Sequence, residues 1–244
     1  ARRPDTLVEE SACLTPRRVG QADARSGLLA VAVDGRAVRR ENRTPRPGRR
    51  RSGMIHTHQF HGLPLQSGDI LCTHDGVEGS LFGAVWALIG RVIPGEIDHC
   101  LIYIGPGGRC IESGVRGVIT FEMPGHVWEA KPLARERELV DELVGAAYPL
   151  AGRDLAGRDE ERIRAGVVDF CLAMAAENRP YSFDFLNLQE TRGFYCSQLV
   201  HKAYHQFGID LNTDRGVPDD PLLSRVVFPE EVWEACVHQR VDGR

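Results

Sequence analysis

The chain has 244 residues, 42% of them hydrophobic and 26% charged, with a formal net charge of −4. This is ordinary globular composition, which excludes a collagen-like or wholly disordered chain, and no apolar run is long enough to span a bilayer. The charge is uneven: residues 1–53 hold 13 Arg and six acids, a balance of +7, so the remainder stands at −11. A body of that sign holds phosphates poorly, so no nucleic-acid partner is expected for the folded domain.

In chain order, the Arg-, Pro- and Gly-rich opening lacks hydrophobic periodicity and ends in RPGRRRSG. It predicts a disordered extension over 1–53, followed by a single domain over 54–244. Met54 follows the basic run directly. One reading makes it the native start; the rival reading makes the basic segment an arm for an acidic partner. The HTHQFH stretch sets His56 and His58 two apart, with His61 and His74 nearby. Such a pair suits zinc, but no acid follows at a familiar spacing. The stretch reads as a polar, unstructured leader, and no metal is expected.

Globular texture begins at Leu63. In LQSGDILCT a turn at 67–69, capped by Asp69, feeds a strand over 70–73. SLFGAVWALIG predicts an apolar helix over 80–92. HCLIYIG predicts a strand over 99–105, PGG a turn, and then strands follow over 109–112 and 115–122. Helices are predicted over 133–148 and 159–177. After an irregular YSFDFLNLQETRG, a helix runs over 195–207 to Gly208, and Pro229 starts a last short helix. Strands followed by helices argue for an α+β domain.

The seven cysteines form no CxxC pair. Most sit in apolar runs and read as buried thiols in a reducing compartment. With no export-type leader visible, the expected location is cytoplasmic.

One cysteine stands apart. Cys196 falls in the first turn of its helix, where free N–H groups and the positive dipole end favour thiolate. A thiol nucleophile needs a base, and His99 opens a strand with a suitable side chain. A hairpin turning about 105–106 pairs residues whose numbers sum to 211, which sets Glu112 across from His99. A carboxylate there would hold one ring nitrogen and leave the other for the thiol. A one-residue bulge would undo this register.

LQSGDIL, DHCLIYIG, CIES and FYCSQLV, in that order, resemble the circularly permuted NlpC-like cysteine hydrolases (YiiX/YaeF-type) of the papain-like superfamily. The resemblance covers about 63–208 plus VFPEEVW. It implies a small antiparallel sheet packed on the Cys helix, with Cys196 as nucleophile, His99 as base and Glu112 as orienting residue. It also implies amidase or peptidase chemistry on a small peptide, isopeptide or other amide substrate, through a thioester and without a cofactor. The charged stretch between Glu112 and Cys196 departs from the family. Two alternatives stand beside the amide hydrolase: a lipid-ester or acyl hydrolase or acyltransferase on the same fold, and a non-catalytic ligand-binding module. Tyr195 and Tyr103 are the candidates for a second oxyanion donor, though each reads first as a packing aromatic. Oligomeric state is left open.

Overall fold

Side chains alternate between the two faces of one six-stranded sheet, and that alternation decides what each face meets. In this computed structural model the described residues are 54–75, 95–221 and 223–241, all within one unit, Pro47–Arg244. The chain starts with a hairpin of β1 (Thr57–Phe60) and β2 (Leu63–Gln66). The sheet then takes β3 (Ile70–Asp75), β4 (His99–Tyr103), β5 (Arg109–Gly114), β6 (Gly117–Glu122), β7 (Asp141–Tyr148) and β8 (Val237–Arg240). Its order is β6-β5-β4-β3-β7-β8, with every pairing antiparallel. Among the described residues four α-helices accompany it: α1 (Ala130–Arg137), α2 (Gly157–Ala176), α3 (Cys196–His205) and α4 (Pro229–Glu234). The architecture is mixed α+β. Among the described residues no helix is long and apolar enough to cross a membrane.

One face carries Ile70, Cys72, Cys100, Ile102, Ile111 and Val144 against Ile163, Val167 and Cys171 of α2 and Leu199, Val200 and Ala203 of α3. The other carries Leu71, Leu101, Tyr103, Cys110, Phe121 and Leu143. The β1–β2 hairpin, through Phe60, Leu63 and Leu65, and Trp128 with Leu133 cover it. Burying such side chains is worth roughly 1.5–3 kcal/mol each, which makes these two layers the main cohesive term.

Two expectations need correction. HTHQFH is ordered: His61 and Gly62 both have positive φ, at 49° and 79°, and make the two-residue turn that closes β1 on β2. The helix expected over 133–148 is a short helix and a strand. α1 stops where Glu138 turns left-handed at φ 59°, and β7 follows as a central strand. Leu143, Val144, Ala146 and Ala147 are buried on both sides of β7, so its sequence lacks the alternation that signals a strand. β8, exposed throughout, gave no hydrophobic signal either. The helix expected over 80–92 lies outside the described residues, as do residues 1–53.

The turn at 67–69 is built as expected. Asp69 Oδ2 accepts the Gln66 N–H at 2.7 Å. Its other oxygen takes Arg164 Nη1 at 2.7 Å, and that nitrogen also donates to Ser67 O at 3.1 Å. This buried ion pair ties the start of β3 to α2 across the first face.

Candidate active site

The site forms where β4 and β5 part. β3 pairs with β4 as far as Thr73↔His99, but β5 pairs with β4 only at Ile102↔Ile111 and Tyr103↔Cys110. The segment leading into α3 lies at that parting, tied to β5 by Ser113 Oγ, which donates to Phe194 O at 2.6 Å. Tyr195, extended at φ −90° and ψ 167°, is the N-cap residue, and Cys196 is the first residue of α3. The first N–H groups of a helix have no partner within it, so donors and the positive dipole end face the thiol.

The Cys100 thiol and backbone N–H and the His99 ring are the neighbours that favour the thiolate form of Cys196. Together with the charge on His99, these neighbours outweigh burial and hold the thiol well below its usual range. His99 shows the reciprocal effect. Burial opposes its charge, but the Cys196 sulfur and the Glu112 carboxylate raise it to about 10. Cys196 and His99 thus each favour the charged form of the other. Both residues are almost wholly buried, at 6% exposure each.

The second ring nitrogen is occupied. His99 Nε2 meets Glu112 Oε2 at 2.9 Å, which leaves Nδ1 as the nitrogen free to exchange a proton with sulfur. The expected register needs correction: the β4–β5 pairs sum to 213, not 211, so Glu112 is not directly across from His99. A shift of two keeps the side chain on the same face, and a diagonal neighbour is still within reach of a long side chain.

Behind Glu112 stands a residue set that sequence reasoning missed. Arg137, at the end of α1, donates Nε to Glu112 Oε1 and Oε2 at 3.0 Å each, and Nη2 to Oε2 at 2.7 Å. It also grips Asp141 of β7, with Nη1 on Oδ1 at 2.7 Å and Nη2 on Oδ2 at 2.8 Å. Thr73 Oγ1 donates to Asp141 Oδ2 at 2.7 Å. The guanidinium lies 4.7 Å from the Phe121 ring centre and 5.0 Å from that of Trp128. Burial opposes the charge on Glu112, but Arg137 and His99 bring its carboxyl down to about 2. Two carboxylates thus share one guanidinium, and the imidazolium supplies the second positive charge. A buried, hydrogen-bonded array of this kind fixes both the ring and its protonation.

Tyr195 is not free to act as an oxyanion donor: its hydroxyl accepts the Val227 N–H at 3.1 Å and donates to Phe185 O at 3.4 Å. Tyr103 sits four residues along β4 from His99, on the layer beneath the hairpin. The histidines of the leader stretch take structural parts. His58 stacks on His126 with ring centres 4.9 Å apart, and His61 Nε2 accepts the Trp128 N–H at 2.6 Å. Among the described residues no group of three His, Cys, Asp or Glu is arranged to hold a metal. The six described cysteines are all unpaired thiols.

The chain matches no protein-family model, no curated protein and no solved structure.

Proposed function

We propose that the chain is a thiol hydrolase that cleaves an amide bond, of peptide or isopeptide type, with a permuted papain-like arrangement. Cys196 is the nucleophile, His99 the acid–base and Glu112 the orienting carboxylate. The observation that carries this reading is the His99 ring, held by Glu112 at 2.9 Å and neighbouring the Cys196 thiol at the start of a helix. The Cys196 thiolate attacks the carbonyl carbon, and the Cys196 N–H at the head of α3 stabilises the oxyanion. His99 gives its proton to the leaving nitrogen and then takes one from the water that hydrolyses the thioester.

Labelling with iodoacetamide near neutral pH, read on the tryptic peptide of residues 193–202, tests the nucleophile. Cys196 reacts well ahead of the other cysteines, and Cys196→Ala removes both that label and turnover of peptide amides while leaving the circular dichroism unchanged. Equal labelling of Cys196 and Cys236, or hydrolysis that survives Cys196→Ala, overturns the proposal.

A further inference from the structure

Two thiols meet at the site. Cys100 follows His99 on β4, and its side chain falls on the face that α3 covers. Cys100 and Cys196 pack in one buried cluster, and each thiol shifts the other. Cys196 retains solvent contact at 6% exposure, whereas Cys100 is fully buried. Cys196 is therefore the more accessible of the two residues to a small oxidant. None of the hydrolytic steps uses the Cys100 thiol.

We propose that Cys196 and Cys100 form a peroxide-sensitive modification site, in which oxidised Cys196 is captured by Cys100 as an intramolecular disulfide that switches the site off reversibly. This rests on the reading of Cys196 as an activated thiolate. The Cys196 sulfur attacks one oxygen of a peroxide; an S–O bond forms and the O–O bond breaks. The departing oxygen takes the proton of the His99 imidazolium. Sulfur gives up two electrons, and the peroxide is reduced by them. The Cys100 sulfur then attacks the Cys196 sulfur; an S–S bond forms, the S–O bond breaks, and hydroxide leaves with the Cys100 proton as water. In the resting site, burial and then the neighbouring Cys196 sulfur keep the Cys100 thiol protonated. Oxidation of Cys196 to a neutral sulfenic acid removes that negative neighbour at the step where Cys100 must react. Cys72, directly opposite Cys100 on β3, is the competing partner. It lacks the imidazolium that activates Cys196.

The test is made on the full chain, with hydrogen peroxide as the probe, iodoacetamide as the quench and non-reducing tryptic mass spectrometry as the readout. The expected product joins residues 92–109 to residues 193–202 with loss of two hydrogen atoms. Alkylation of Cys196 disappears in step and returns with dithiothreitol. In Cys100→Ala and Cys100→Ser the cross-link is absent, Cys196 advances to sulfinic acid, and dithiothreitol restores little alkylation. The wild-type cross-link is read without either variant, so a folding defect in them does not mask the answer. A sulfinic acid at Cys196 in the wild type without the cross-link overturns the proposal, and so does a cross-link confined to Cys72 and Cys100. Alkylation before peroxide separates the two readings. Rapid alkylation with no cross-link removes only the role of Cys100; failure of Cys196 to alkylate removes the hydrolase reading as well.

Discussion

Glu112 lies diagonally across the β4–β5 ladder from His99, yet its Oε2 is 2.9 Å from His99 Nε2. The offset gives the ring a partner from the side of the strand pair, and that partner is itself clamped from behind by Arg137. The orientation of the His99 ring therefore depends on Arg137, which does not touch it.

Glu112→Gln preserves shape and removes the charge that favours imidazolium. The pH profile of Cys196 alkylation should move to higher pH, because thiolate then forms without a charged partner. An unchanged profile would show that Glu112 does not set the state of His99.

The pH dependence has a defined sign at each end. His99 is raised from 6.5 to about 10, so its contribution to stability is complete below 6.5 and is lost as pH rises through about 10. Glu112 is lowered from 4.5 to about 2, so its contribution is complete above 4.5 and is lost as pH falls through about 2. Urea unfolding across this range should give a plateau that falls at both ends, and His99→Ala should flatten the alkaline fall. An alkaline fall that survives His99→Ala would contradict the assignment.

Arg137→Met leaves Glu112 and Asp141 buried without their shared cation. Breaking a buried pair in this way costs about 3–5 kcal/mol, which urea unfolding will read. Arg137→Lys keeps the charge but cannot make the forked contact with two carboxylates, so it should recover only part of that loss.

Arg164→Met gives a comparison remote from the sulfur. It strands Asp69 at the β2–β3 turn and should also cost about 3 kcal/mol. The rate of Cys196 alkylation in the folded protein should stay at the wild-type value. A drop in that rate would mean that the turn and the site are coupled.

The strand core of the fold was legible because β3, β4 and β5 are short, apolar, β-rich runs bounded by turn signals at 67–69 and 105–108. His99 and Glu112 were found by parity alone: the expected register was wrong by two residues, and an error of two is the kind that leaves a side chain on its own face. Asp141 and Arg137 were hidden because the segment that holds them read as one helix. Leu, Ala and Glu over 133–148 favour helix on propensity, and β7 is recognisable only once its neighbours β3 and β8 are known. Gly145 marks the place: a side chain there would meet Gln239 O of β8 and the Trp233 ring. The β1–β2 turn had a local signal, His61-Gly62 between apolar residues, which attention to metal spacing obscured.

The parting of β4 and β5 also bears on when the molecule becomes reactive. The imidazole and its carboxylate come from consecutive strands, but the sulfur comes from a helix far along the chain and meets them only after that helix has packed on the sheet. Contacts of such long range are among the last that a polypeptide makes. A nascent or partly unfolded chain would therefore carry an ordinary thiol, and the onset of fast alkylation would serve as a clock for completed folding.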